Sequence, residues 1–187
     1  DPLRIYFSYN IPNNHIIYSE FLKLWMYGIE SIGMISVFAF RLPSLIIAAA
    51  AAYFLSSFML RRCGLIPCIL CSAALLVSPC FMIYSTAVRG YMPGFALTVA
   101  AFITAYMMMR RESLLKYGMV YFIICILAIG ITPTNIASLA AVAIFFIPDI
   151  LKARSRAAKI FILAFVPMFS LLLFYLPIWE KFIACAK

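Results

Sequence analysis

Long uncharged stretches, parted by short clusters of arginine and lysine, set the pattern of this chain. Leu42–Leu60 carries no charge and is flanked by Arg41 and by Arg61 and Arg62. Cys63–Val88 follows, with Pro67 and Pro79 inside it, and then Gly90–Met109, closed by Arg110 and Arg111. Tyr117–Pro148 is uncharged but interrupted by Thr132-Pro133-Thr134-Asn135, and Ile160–Trp179 is the last such run. An α-helix needs roughly 20 apolar residues to cross a bilayer, and these runs are of that order. The segment before them differs. From Asn14 to Glu30, polar and apolar positions alternate at helical spacing. Ser19, Glu20, Lys23, Tyr27 and Glu30 fall on one face, and Ile17, Phe21, Leu24 and Trp25 lie mostly on the other. Pro12, Asn13 and Asn14 supply helix-start chemistry. Such a helix, about 25 Å long, suits the membrane interface better than its core, because it carries Glu20, Lys23 and Glu30.

The run Tyr117–Pro148 has to be divided. Arg110, Arg111 and Lys116 precede it, and Lys152, Arg154, Arg156 and Lys159 follow it. By the positive-inside rule both loops are cytoplasmic, so the run crosses an even number of times. Pro133 and Asn135 provide the turn. Two helices are predicted, Leu114–Ile131 and Ile136–Leu151, each short enough to require tilting or local thinning of the bilayer. Arg61 and Arg62 join the cytoplasmic set; Arg4, Lys23, Arg41, Arg89, Lys181 and Lys187 fall outside. The expected fold is all-α: an extracytoplasmic loop over 1–35 with an interfacial amphipathic helix, then a polytopic transmembrane bundle over 36–187. Six spans are expected, at about 42–60, 63–88, 90–109, 114–131, 136–151 and 160–179. The chain opens at Asp1 with neither a methionine nor a signal segment, and reads as part of a longer protein with a further membrane helix before it and a remainder after it.

Composition strengthens the membrane reading. Of 187 residues, 67% are hydrophobic and 11% charged, and the mean hydropathy is +1.09. A soluble domain is about half apolar and about 25% charged. A multi-pass protein of a bacterial or archaeal plasma membrane is expected. The net charge of +9 arises from residues that punctuate apolar runs, which implies orientation and an anionic ligand, not nucleic acid. The cysteines at 63, 68, 71, 80, 125 and 185 lie mostly inside apolar runs and form no disulfide framework. Cys68 and Cys71, in LIPCILCSAALL, lack the polar access and further ligands of a zinc site and read as packing residues.

This topology gathers polar chemistry on the outer face: Asn13, Asn14 and His15; Arg41; Tyr84, Ser85, Arg89 and Tyr91; Thr132, Thr134 and Asn135. Two readings of Arg89 stand side by side, a forked donor to a phosphate and an interfacial arginine that snorkels to headgroups. Arg41 reads first as a helix-start flank, with Pro43 in the first turn, and second as a phosphate ligand. His15 reads first as a structural cap of its loop and, by alternative, as a general base or a metal ligand; one histidine without a nearby carboxylate pair is weak evidence for a metal. Thr132–Asn135 are helix caps by default and substrate contacts by alternative. Glu20 and Lys23 are expected to pair at i,i+3 on a wet face. The assigned spans hold no carboxylate except Asp149, at a cytoplasmic end, which weighs against an ion-coupled pump.

Four stretches in order, PNNHIIYSEFLKLW, FRLPSLIIAAAAAYFLSSFMLRR, LLVSPCFMIYSTAVRGYMPGFALTVAAFITAYMMMRR and ILAIGITPTNIASL, resemble the membrane part of family 39-type glycosyltransferases of the GT-C fold. That family includes protein O-mannosyltransferases and bacterial aminoarabinose transferases of lipid A. The resemblance covers roughly Ile11 to Phe146 and rests on the order and spacing of motifs that are loose one by one. It implies transfer of a sugar from a polyprenyl-phosphate carrier to an acceptor glycan, lipid or protein on the extracytoplasmic side. It implies no certain cofactor beyond the lipid-linked donor, with a divalent metal left open. Donor phosphate binding would fall to Arg89 and Arg41. Asn13, Asn14, His15, Tyr84, Ser85, Tyr91, Thr132 and Asn135 would line the substrate cavity. Two departures stand out. Relatives write the junction as Tyr-Ser-Gln-Glu-Ala-Arg-x-Tyr, whereas here Thr86 and Ala87 replace the Gln-Glu pair. The acidic motif that supplies the family's general base would lie upstream of Asp1, so this stretch alone is expected to be inactive. The alternative function is a polytopic transporter or lipid-carrier flippase, which inverted repeats or helices broken at mid-membrane would favour. Another membrane transferase, such as an acyltransferase or O-antigen ligase, would need external-loop residues of its own.

Overall fold

The structure, a computed structural model, describes residues 16–33, 35–109, 113–144, 147–148, 160–162 and 165–170. It is helical, with no strand among the described residues. In chain order the helices are α1 (Ile16–Ser31), α2 (Val37–Cys63), α3 (Leu65–Val77), α4 (Pro79–Thr86), α5 (Tyr91–Met109), α6 (Leu114–Ile131) and α7 (Asn135–Ile144), with a 3-10 turn at Val166–Phe169. α2, α5 and α6 are long and apolar enough to cross a membrane. α3 and α4, bent by 63° at their break, make a fourth candidate, and α7 is a shorter apolar helix. This is consistent with a multi-pass membrane protein. The sixth expected span falls largely outside the described residues.

Local chemistry explains the boundaries. The helix expected from Leu42 starts at Val37, because Ser36 caps it by accepting the Ala39 N–H at 3.1 Å. Arg41 therefore sits inside the helix, and Pro43 in its second turn, not its first. Pro43 has no N–H to give the carbonyl of Ala39, four residues earlier. The indole Nε1–H of Trp25 donates to that carbonyl at 2.9 Å and ties α1 to α2. Gly64, at φ 95 and ψ −177, makes the sharp α2–α3 turn in a backbone region that only glycine enters freely. Ser78 and Pro79 divide the run expected over 63–88. Ser78 caps α4, accepting the Phe81 N–H at 3.4 Å, and Pro79 takes its first position, where no N–H is needed.

α2 and α5 run the same way and α6 returns. Ser44 of α2 meets Ala87 just before α5, Thr132 after α6 meets Gly90, and at the opposite end Arg62 meets Met107. The core lies between α5 and α6, where Ala101, Ala105, Tyr121, Cys125, Ala128 and Ile129 are almost wholly buried. Small side chains at these positions let the helices approach closely, as membrane helices do. The outer surface is apolar. No residue of α3 is buried, and Ile66 and Val77 are 72% and 79% exposed, which suits hydrocarbon and not water.

The packed row of α1 differs from the expected one. Tyr18 is buried, and Leu22, Trp25 and Ile29 are partly covered, while Phe21, Leu24 and Tyr27 are exposed. Glu20 Oε1 is shielded, with no hydrogen-bond partner among the described residues, instead of standing on a wet face with Lys23. At the other side of the bundle, α5 passes the start of α7 so closely that a Cβ on Gly94 would overlap the Asn135 amide. Asn135 Nδ2 in turn donates to the Ala128 carbonyl at 2.8 Å. Gly94→Ala should therefore lower stability by about 1–3 kcal/mol, the usual cost of overpacking. Pairing it with Asn135→Ala should cost less than the sum of the two single changes. Thermal unfolding in detergent measures both, and additive losses would mean that the two positions do not compete for space.

Candidate functional site

Between α4 and α5 the chain crosses through Ala87–Gly90. Both ends of this short junction are held by side chains from other elements. Ser44, fully buried in α2, donates its hydroxyl to the Ala87 carbonyl at 2.8 Å. With that proton committed, Ser44 Oγ accepts from the Tyr18 hydroxyl, also at 2.8 Å. At the other end, the Gly90 carbonyl accepts the Gly94 N–H at 2.9 Å and the Thr132 hydroxyl at 3.4 Å. A relay from α1 through α2 thus fixes one end, and the α6–α7 turn fixes the other. Burial raises the Tyr18 phenol above its ordinary pKa, and the bond to Ser44 offsets only part of that rise. The phenol therefore keeps the proton it donates.

Arg89 lies between the two anchored carbonyls and is exposed. The rings of Tyr84 and Tyr91 flank the junction in sequence and meet at 4.6 Å between centroids, tilted by 43°. Beside them a cavity of about 220 Å³ is lined by Leu75, Ser78, Phe81, Tyr84, Tyr91 and Phe95, among others. Arg41 is also exposed. It precedes Ser44 by three residues on α2, and positions three apart share a helix face, so it stands one turn from the anchor of Ala87. This end of the bundle therefore carries two exposed arginines, Arg41 and Arg89.

The structure does not place every expected residue there. Tyr84, Arg89, Tyr91 and Thr132 gather about the junction. Ser85 is buried and donates to the Met82 carbonyl of its own helix at 2.8 Å. The Asn135 amide is spent on the last turn of α6. Thr134 is exposed in the turn. Asn13, Asn14 and His15 lie outside the described residues. Among the described residues, no group of three His, Cys, Asp or Glu comes together that could hold a metal ion. The CxxC cysteines stay in α3, where Cys68 Sγ–H donates to the Ser56 carbonyl at 3.3 Å.

Tyr18 and Ser44 were not among the expected site residues. The signal for Tyr18 is the row Tyr18, Leu22, Trp25 and Ile29, a heptad-like stripe whose two aromatics each carry a donor. Ser44 carried no such mark, because its partners are 26 and 43 residues away. Comparison of the chain with protein-family models, with curated proteins and with solved structures gives no match in any of the three.

Ser44→Ala strands both the Ala87 carbonyl and the Tyr18 hydroxyl and should cost about 1–3 kcal/mol. Tyr18→Phe should cost less, since Ser44 keeps its own acceptor. The double change should show a coupling of about 0.5 kcal/mol or more in unfolding measurements; strictly additive losses would break the relay.

Proposed function

We propose that the chain is the membrane part of a glycosyltransferase that takes a sugar from a polyprenyl-phosphate carrier and transfers it on the extracytoplasmic side. The observation that carries this reading is Arg89, an exposed guanidinium on a junction anchored at Ala87 and Gly90. Breaking a sugar–phosphate bond leaves negative charge on the lipid phosphate. A donor held in place beforehand stabilises that charge without reorganising, most of all where water is scarce. Arg89 would grip the phosphate through its planar fork, and Arg41 would add a second charge. The Tyr84–Tyr91 pair and its cavity would take the apolar or sugar portion next to the phosphate, since tyrosine offers both a face and a hydroxyl. The activated lipid brings the leaving group, and the acceptor hydroxyl needs a base of suitable pKa. The order of motifs that resembles family 39-type transferases agrees with this assignment.

One observation favours the rival. The 63° break between α3 and α4 is the kind of interruption that transporters use near a substrate site. A transporter or flippase would move the lipid carrier without consuming the sugar–phosphate bond. The two readings separate in one assay, with the full-length protein in membranes supplied with polyprenyl-phosphate sugar. A transferase yields free polyprenyl phosphate and a glycosylated acceptor; a flippase only relocates the intact donor.

Arg89→Ala should reduce transfer by at least about 100-fold with expression unchanged, as expected when a donor to developing negative charge is removed. Arg89→Lys should restore only a small part, because a point charge lacks the fork. Transfer at the normal rate in Arg89→Ala would remove Arg89 from the mechanism. For orientation, a single cysteine at Thr134 should react with an impermeant thiol reagent added outside intact cells. Cys63, kept as the single cysteine, should react only after permeabilisation; the opposite pattern would invert the proposed topology.

A further inference from the structure

Three cavities lie one after another along the seam between α2 and α5, each sharing wall residues with the next. Under α1 a cavity of about 340 Å³ lies among Tyr18, Phe21, Ile47, Pro93, Ala96 and Ile131. It shares Ile47 and Ala96 with the next cavity, of about 420 Å³. That one shares Phe54 and Ile103 with a third, of about 300 Å³, which ends at Arg61 and Arg62. Alanines 50, 51, 96 and 100 keep the middle cavity open. Along α5, from Pro93 to Met107, the row extends about 21 Å at 1.5 Å per residue. The hydrocarbon of one leaflet is about 15 Å deep, half of a roughly 30 Å core, so the row of cavities matches the length of a lipid tail.

Its two ends differ in charge. The α1 end is lined by carbon, whereas the other end presents two adjacent arginines. Arg62 reaches across the seam, its guanidinium 5.7 Å from the centre of the Tyr106 ring and its Nη2 3.5 Å from Met107 Sδ. The ring and the sulfur hold the guanidinium at this end of the seam. Arg61 beside it is exposed. The acidic side chains among the described residues, Glu20 and Glu30, both belong to α1 at the opposite end. A surface that is apolar along its length and cationic at one end is complementary to one anionic headgroup on a long tail.

We propose that this row of cavities binds an anionic glycerophospholipid of the leaflet on the Arg61 side, with its phosphate at Arg61 and Arg62 and an acyl chain along the α2–α5 seam. The site is distinct from the Arg89 junction, which lies at the other end of the bundle, and it does not depend on the reaction proposed there. The bound chain would fill space that α2 and α5 leave between them and would couple their packing to lipid composition.

The test uses the full-length protein purified in mild detergent, incubated with phosphatidylglycerol or phosphatidylcholine of the same chain length, with retained lipid counted by native mass spectrometry. Wild type should retain phosphatidylglycerol in preference. Arg61→Gln with Arg62→Gln should erase a preference of up to about 30-fold, the effect of two arginines near an anionic headgroup. Ala100→Trp, which fills the middle cavity, should lower retention of both lipids with helicity unchanged. Ala96→Leu gives the same reading if the tryptophan variant does not fold. Equal retention of the two lipids by wild type, or a preference that survives loss of both arginines, would overturn the proposal. So would a disulfide-linked dimer at high lipid dilution of chains that carry Ala50→Cys as their single cysteine, since a second copy would then occupy the seam.

Discussion

Inside a bilayer no water is available to a backbone carbonyl that has lost its helical donor, so every interruption of a helix must be met by another donor of the protein. The sites where this chain meets that requirement cluster at one end of the bundle. Pro43 withholds an N–H from Ala39, and Trp25 supplies one. The chain leaves helical geometry at Ala87, and Ser44 takes up its carbonyl. Gly90 receives Thr132, and the last turn of α6 receives Asn135. The donors come from α1, α2 and the α6–α7 turn, so satisfying the backbone is also what joins the elements. The opposite end is built otherwise: α2 turns into α3 at Gly64 with backbone groups alone, its N–H reaching the Met59 carbonyl at 3.1 Å.

This asymmetry bears on function. For the anion-binding role proposed for Arg89 a rigid mount would matter, because a mobile arginine reorganises with its ligand and loses much of its electrostatic advantage. Arg89 is carried on four residues whose end carbonyls are both anchored, while its own side chain stays exposed. Thr86 and Ala87 have local structural roles beside Arg89. Ala87 contributes a carbonyl to the anchor, and Thr86 turns its hydroxyl back to the Ile83 carbonyl at 3.1 Å. Neither residue adds charge beside Arg89.

Much of this was legible in the chain. α5 and α6 coincide closely with uncharged runs bounded by arginine, proline and the Thr132–Asn135 turn, because in hydrocarbon the absence of charge is itself the helix signal. The start of α2 was not legible in that way. Arg41 looks like a membrane boundary, yet a long side chain near a helix end can reach the interface from inside the helix, so charge overstates where the helix stops. The packed face of α1 was hidden for a related reason. A surface facing lipid is as apolar as one facing protein, so hydrophobicity cannot distinguish Phe21 and Leu24, which are exposed, from Leu22 and Trp25, which pack. Sorting them takes the partner, and the partner of Trp25 is a carbonyl freed by a proline 18 positions along the chain.

The same reasoning shows why α1 belongs to the site although none of its described carboxylates reaches Arg89. Its hold on α2 rests on two aromatic donors, Tyr18 and Trp25, seven residues and so about two helical turns apart. Two contacts separated along one helix fix its direction as well as its position. One of them, through Ser44, ends at the carbonyl two residues before Arg89. Two hydrogen bonds, Tyr18 to Ser44 and Ser44 to the Ala87 carbonyl, thus link α1 to the junction. If Arg89 binds a phosphate as proposed, that connection would let the position of α1 and the placement of the arginine be decided together.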